Sequence, residues 1–501
     1  MQEKLKAYII GSGIAGIATA VRLAVKNYDV TVFEKNSYPG GKINILKKGG
    51  YTFDTGPSLF VQPVNIEELF ELAGEDIHAY FNYRPINIAC KYFYEDGTVI
   101  NAYTDKKKFA EELFEKTGEP QQNTISYLNE SANIYSHIGN IFLNHSLHKR
   151  STLRRAKIAN ALLNTKHSYL FSTLHKANAK KFAKPQVVQL FNRYATYSGS
   201  NPYHAPGMLK LIPHIEYSEG VFYPEGGMIA IVNALYKLAE KKGVRFKFNA
   251  NVERIIENQK EVKGIVVNDE NLFCDLVVSN ADVYFTYSRL LNDERYSKKI
   301  LKQERSSSAL IFYWGIKKEF PQLELHNIFF TKDYKKEFDS IFKLKNIYSD
   351  PTIYINITSK CEPGVHAPVG KENWFVMVNV ASDDRFSEDS FIKTCKQNVL
   401  SKLSRILNDD IESLIETEDV LHPKMIEAVT SSYLGALYGT SSNSKRAAFF
   451  RHPNFSKNIK HLYFTGGSVH PGGGIPLCLK SAKITTDIIE EDSKKRKHHY
   501  E

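Results

Sequence analysis

Cysteine is sparse in this chain, and no two cysteines lie close enough to act together. Five of them, Cys90, Cys274, Cys361, Cys395 and Cys478, are scattered over 501 residues, and none forms a C-x-x-C pair. That spacing argues against a disulfide framework, a zinc ribbon and a dithiol redox centre, and it suits a reducing cytoplasm. No metal site is expected. Long apolar runs are absent too. No window approaches the roughly 18 uninterrupted apolar residues of a membrane-spanning helix, and the longest block, ALIFYWGI from Ala309, is too short to cross a bilayer. The N-terminal MQEKLKAYIIGSGIAGIATAVRL has the lysines and apolar stretch of a secretion signal. Arg22 and three spaced glycines interrupt it, however, and no small-residue cleavage site follows, so export is not expected. Internal repeats and low-complexity linkers are also lacking.

The most lopsided absence is that of acid. Between residues 131 and 215 there is no Asp or Glu, while the same stretch holds twelve Lys or Arg. The formal net charge is +11, so the rest of the chain is close to neutral. Within the stretch, LRRAKIANALLNTKHSYLF (153–171) alternates cationic and apolar groups as an interfacial helix does. A basic helical patch of this kind is drawn to anionic lipid. A solvated basic face is the plainer reading, and no nucleic-acid-binding module is recognisable. The second basic run, KKRKHH (494–499), reads as a disordered tail.

What is present reads as an ordinary globular chain, with 42% hydrophobic and 24% charged residues, long enough for several domains. KAYIIG (6–11) is a short apolar run ending in glycine, as in a buried parallel strand. Ile14, Ile17, Ala18 and Val21 then recur at helical spacing, and DVTVFE (29–34) restores β-branched strand character. Together they make a strand–helix–strand unit of βαβ size. The stretch 65–130 reads as mixed and mostly helical, 229–241 as a helix, and VRFKF, NVERII, VKGIVV and DLVVSN as short runs of alternating character.

The chemistry begins with GSGIAG. Gly11, Gly13 and Gly16 match G-x-G-x-x-G: the first permits a tight turn, the second admits a pyrophosphate, and the third lets helix and strand pack closely. The helix that follows offers free N–H groups to phosphate. Glu34, at the end of the next strand, suits a ribose diol, and that context makes the motif specific. A nicotinamide dehydrogenase would also satisfy it. Two-nucleotide disulfide reductases need a second such motif and a C-x-x-C, and the chain has neither. Gly40, Gly41 and Lys42 extend the first glycine loop. TGGSVHPGGGIPL (465–477) makes a second one some 450 residues later. Two glycine loops so far apart imply a long ligand contacted by backbone at both ends, which suits FAD better than NAD.

The stretches GSGIAGIATAVRL, VFEKNSYPGGK, YTFDTGPSLF, GVFYPEGGM, VERI, DLVVSNAD and FTGGSVHPGGGIPLCLKSAK occur in this order over nearly the whole chain. In them the sequence resembles the carotenoid desaturase family of FAD flavoproteins, related to phytoene desaturase and more distantly to amine oxidases. SYPGGK, GPSLF and CKYFYEDGT are most similar to the hydroxycarotenoid 3,4-desaturase branch. Lys42 and Leu59 stand where the phytoene-acting branch tends to carry arginine and a bulkier aromatic.

The resemblance implies FAD as cofactor, with Ala15 at the pyrophosphate and Glu34 at the ribose. Val252 would hold the adenine through its backbone, with Asn280 nearby. Lys42, Ser58 and Leu59 would approach the flavin, as would Gly467, Gly474, Ile475 and Leu477 at the start of a last helix near Pro476. It further implies hydride transfer from an allylic C–H of a 1'-hydroxy carotenoid to flavin N5, forming the 3,4 double bond. No general base stands out. Asp54 reads as a structural carboxylate bonded to loop amides, and His470 as a loop residue.

The implied fold class is α/β, a discontinuous Rossmann-like FAD-binding domain with an inserted mixed α+β substrate domain and a helical membrane-facing region. The expected division is 1–80, 226–285 and 441–492 for the FAD-binding domain, 81–225 for the helical membrane-facing region, 286–440 for the substrate domain, and 493–501 for the basic tail. The expected partners are a carotenoid and, through the basic 131–215 region, a membrane surface, with the protein on the cytoplasmic face. Nucleic acid is not an expected partner. Alternative readings are an earlier-acting phytoene desaturase, an amine-oxidase-like flavoprotein and a non-catalytic lipid carrier on the same fold.

Overall fold

The structure is a computed structural model, and it describes residues 4–149, 172–444, 447 and 451–500. Strand β1 (Lys6–Ile10), helix α1 (Ile14–Val25) and strand β2 (Asp29–Phe33) form the first βαβ unit. β1 pairs in parallel with β2 on one side and with Leu276–Ser279 on the other. Arg245–Lys247 extends the sheet beyond β2, and Leu462–Phe464 extends it beyond Leu276–Ser279. Five short parallel strands from three distant stretches thus make one sheet. After the exposed Lys6, β1 is an apolar run with only Tyr8 half-buried, as suits a central parallel strand.

Helix α1 is buried from Ile14 to Leu23. It packs against Ile229–Lys241 and the C-terminal helix Ile475–Tyr500, and these helices share one apolar core with the sheet. The helix read over 229–241 is found within those bounds. The residues read as a disordered basic tail instead continue the C-terminal helix to Tyr500. Nothing in KKRKHH breaks a helix, and Lys495 pairs with Asp492 one turn earlier.

A second sheet has seven strands, and three smaller sheets of two or three strands accompany it. Its order is Ile415–Leu421, Ser308–Ile316, Glu372–Val380, Ile353–Asn356, His326–Phe329, Ile88–Phe93, Val99–Tyr103. ALIFYWGI lies in its interior strand Ser308–Ile316, every residue of which is buried. Gly315 is required there, because a Cβ would sit 2.5 Å from both the Tyr51 ring and Thr417.

Within the mixed, mostly helical stretch 65–130, Ile88–Phe93 and Val99–Tyr103 are two strands that the sequence reading did not place. Ile88–Phe93 and Val99–Tyr103 form a hairpin on the edge of this sheet, joined to it by parallel pairing of Ile88–Phe93 with His326–Phe329. The hairpin turns at Asp96–Gly97, and its partner strand lies more than 200 residues away in sequence, a pairing that local periodicity does not register. Helices Lys106–Thr117, Gln121–Ile134, Leu174–Lys181 and Pro185–Asn192 follow. The interfacial-helix reading of 153–171 falls outside the described residues. Among the described residues no helix is long and apolar enough to cross a membrane.

Candidate functional site

The two glycine loops and the seven-stranded sheet enclose one cavity of about 900 Å³. Its first end is a cradle at the carboxyl edge of the parallel sheet, where β1 hands over to α1. A Cβ on Gly16 would lie 2.2 Å from the Gly11 carbonyl oxygen, so only glycine lets helix and strand approach this closely. Asn280, just beyond Leu276–Ser279, braces the turn. Its backbone N–H donates to Ile10 O (2.8 Å) and its Nδ2 to Thr465 O (3.1 Å), while its Oδ1 would lie 2.7 Å from a Cβ on Gly13. The first turn of α1 contains no acid, and its N–H groups lack intrahelical acceptors. Glu34 is buried beside it, its Oε2 accepting from Ser12 N–H (2.8 Å) and Ser12 Oγ (2.9 Å) and its Oε1 from Asn36 N–H (2.9 Å).

The second glycine loop closes the opposite wall. Gly474 takes φ +103°, and the space where a Cβ would project is open. Lys42 and Arg451 bring positive charge to this wall. Lys42 Nζ donates to Leu437 O (2.7 Å) and Arg451 Nη1 to Tyr438 O (2.8 Å). Neither has a carboxylate partner among the described residues. Burial lowers the pKa of Lys42, and burial together with the Arg305 charge pushes Arg451 down to about 10. Backbone N–H groups at a helix start, a buried carboxylate at hydroxyl-bonding range and two uncompensated cations make an environment for a ligand bearing phosphates and a diol.

Of the residues singled out from sequence, Gly11, Gly13, Ala15, Glu34, Gly41, Lys42, Ser58 and Leu59 line this cavity. So do Val252, Asn280, Gly467, Gly474, Ile475 and Leu477. Gly16 lies behind Gly11 and packs the helix. The C-terminal helix begins at Ile475. Asp54 and His470 do not line the cavity. Both Asp54 oxygens accept from Met228 N–H (3.1 Å), and burial raises its pKa to about 6. His470 Nε2 bonds His145 O (2.9 Å), and burial pushes it down to about 4, so it is neutral. Among the described residues no group of side chains is placed to hold a metal ion.

From the cradle the cavity runs into an apolar arm walled by Leu143, Leu209, Ile212, Ile215, Ile328 and Phe375, among others. One polar cluster interrupts this wall, and sequence reasoning missed it. Arg193 pairs with Glu216 (3.3 Å), which also accepts from Tyr194 OH (2.5 Å) and from Tyr197 OH. Beside them runs a chain in which Ser58 Oγ meets Tyr354 OH (2.7 Å) and Tyr354 OH meets His326 Nδ1 (2.7 Å). Asn356 Nδ2 donates to Leu325 O (3.1 Å) and to the same His326 Nδ1 (3.2 Å). Nδ1 is therefore the acceptor, and the ring proton sits on Nε2. Burial, and secondarily the Arg193 charge, push His326 down to about 3, so it stays neutral. Among the described residues its Nε2 has no partner, nor does Arg193 Nε. A buried donor left unpaired costs about 1–3 kcal/mol.

Arg193 had counted only as one of the twelve cations of the acid-free stretch, and the structure changes that reading. Arg193 and Lys210 are buried, Lys210 against Glu130, while Lys149 pairs with Asp492 and Lys181 with Glu130. Lys176 and Lys180 are exposed.

Comparisons with known proteins agree with this architecture. The family model described as flavin containing amine oxidoreductase matches residues 14–489. A 1-hydroxycarotenoid 3,4-desaturase of Flavobacterium sp. (strain P99-3) is 51% identical over 97% of this chain and 99% of its own length. A 4,4'-diaponeurosporene oxygenase of Staphylococcus aureus (strain MSSA476) is 32% identical over 98% of this chain and 99% of its own. Among solved structures, a putrescine oxidase triple mutant superposes with TM-score 0.64 at 12% identity, covering 97% of this chain and 99% of that one. Cyclohexylamine oxidase from Brevibacterium oxydans IH-35A gives TM-score 0.60 at 13% identity over 98% and 100%. These two likenesses concern the fold. With the family model spanning nearly all of it, the chain belongs to the flavin-containing amine oxidoreductases, and its cofactor is FAD.

Proposed function

We propose that this protein is an FAD-dependent carotenoid desaturase that forms the 3,4 double bond of a 1-hydroxycarotenoid. The observation that carries the reading is the continuity of the cavity: a phosphate-and-diol cradle opens without a break into a long apolar arm. A polyene has no charge to grip, so its binding free energy comes from apolar surface removed from water. The 51% identical relative is a desaturase of such a substrate.

In this reading Gly11, Gly13 and Ala15 receive the pyrophosphate, Glu34 the ribose hydroxyls and Val252 the adenine. Lys42, Ser58, Leu59, Gly467, Gly474, Ile475 and Leu477 surround the flavin. The flavin, when bound, supplies a two-electron acceptor. The chain's own part is to align the polyene, exclude water from the reacting end and hold the positive charge of Arg451 near the cofactor, with Lys42 beside it as a hydrogen-bond donor. Asp54 and His470, both committed to loop contacts away from the cavity, take no proton in this scheme.

Because a carotenoid dissolves in lipid rather than water, we also infer that the protein works on the cytoplasmic surface of a membrane. The exposed Lys176 and Lys180 would contribute on the order of 1 kcal/mol each to attraction by anionic lipid. The test is incubation of the FAD-loaded protein with a 1-hydroxycarotenoid in liposomes. The expected product is two hydrogens lighter, with its polyene absorption moved to the red. A substrate recovered unchanged, with FAD bound and an electron acceptor present, would overturn the reading.

A further inference from the structure

The apolar arm holds one feature that desaturation of a plain polyene does not need, the cluster around His326. Its side chain lines the cavity and is only 1% exposed. The Ser58–Tyr354 pair and Asn356 fix the ring through Nδ1, which leaves the Nε2 proton without an acceptor among the described residues. Neutral imidazole so oriented is a donor, and its complement is an oxygen lone pair on an uncharged ligand.

We infer that His326 is the residue that recognises the end-group hydroxyl of the substrate, its Nε2–H donating to the hydroxyl oxygen. This inference rests on the carotenoid reading above and deepens it. In a 1-hydroxycarotenoid the hydroxyl carbon is separated from C3 by C2 alone, so a donor that anchors the hydroxyl also determines which carbons are presented for oxidation. Ser58, the first member of the chain that holds His326, is also assigned above to the flavin's surroundings. The hydroxyl anchor and the reacting end therefore share one short stretch of wall. Arg193 stands beside His326 with its charge matched by Glu216, so the anchor donates without placing a net charge in the apolar arm. A substrate lacking the hydroxyl would leave the buried N–H unpaired, and that penalty is the source of discrimination.

The test compares two carotenoids that differ only in the 1-hydroxyl, offered in neutral liposomes to the FAD-loaded full chain. Dissociation constants come from the polyene absorption and kcat/KM from product formation. The wild type should favour the hydroxylated compound roughly ten-fold or more in both. His326→Phe should bring both ratios close to one by weakening the hydroxylated compound alone, and His326→Gln, which keeps an N–H donor, should restore much of the preference. Retained FAD stoichiometry shows that each variant is folded. A wild type that binds and desaturates both compounds equally overturns the inference and leaves the desaturase reading standing. An unchanged preference in a folded His326→Phe does the same. A wild type that binds neither compound overturns the substrate class itself, and the inference with it.

Discussion

The two ends of the cavity are built on opposite plans. The cradle is backbone: glycines, a helix start and a single buried carboxylate, supplied by loops that follow parallel strands. The arm is side chain: aliphatic and aromatic groups from helical segments and from the seven-stranded sheet, with hydrogen-bonded polar groups set into them. Backbone recognition suits a ligand of constant shape. Side-chain recognition can be altered one residue at a time, so the arm is where members of one fold would diverge in substrate.

The contrast can be tested from each side. The largest effect should come from the arm. Arg193→Met leaves Glu216 buried without its cation, and breaking such a pair costs about 3–5 kcal/mol. Chemical denaturation should show that loss, and Arg193→Met combined with Glu216→Leu should recover most of it. If the single variant is as stable as the wild type, the cluster is not the buried scaffold described here.

A somewhat smaller effect belongs to Asp54, which ties the strand Tyr51–Asp54 to Met228, the residue before Ile229–Lys241. Its pKa is raised from 3.8 to about 6 in the folded protein by burial. Between those values the folded chain keeps a proton that the unfolded chain has released, so stability falls as pH rises from about 4 to 6 and levels off above. The swing is about 3 kcal/mol. Asp54→Asn removes this titration. Wild-type stability relative to the variant should therefore decline across that window, and a difference independent of pH would contradict the assignment.

The smallest effect separates the two ends. Glu34→Gln should weaken FAD roughly ten- to hundred-fold, as expected for hydrogen bonds to a charged group, while leaving carotenoid binding to the loaded protein unchanged. His326→Phe should show the converse. Equal effects of either variant on both ligands would merge what the account keeps apart.

This division also governed what the sequence could reveal. The cradle was legible because Gly11, Gly13, Gly16 and Glu34 lie within a single βαβ unit, where spacing alone implies the geometry. Helix 229–241 was legible from its amphipathic period. The arm left no such trace. Apart from Ser58, which the resemblance had singled out, Arg193, Glu216, His326 and Tyr354 are spread over some 160 residues and meet only through pairing in the seven-stranded sheet and packing of helices on it. The hairpin Ile88–Phe93 and Val99–Tyr103 was missed for the same reason, since its partner is His326–Phe329. Glu270–Phe273, short and half polar, pairs only with Glu261–Val267 and gives no periodic signal. Arg193 shows the limit most plainly: charge counting placed it on a basic face, whereas one buried glutamate draws it inside.

In this reading carotenoid and FAD occupy one cavity and exchange electrons there. The most direct test is the visible spectrum of the FAD-loaded protein, recorded anaerobically before and after adding 1-hydroxycarotenoid in liposomes. The account predicts bleaching of the flavin bands, mole for mole with a red shift of the polyene and without oxygen. Flavin that stays oxidised while the carotenoid binds, or product that forms only when oxygen is admitted, would contradict it.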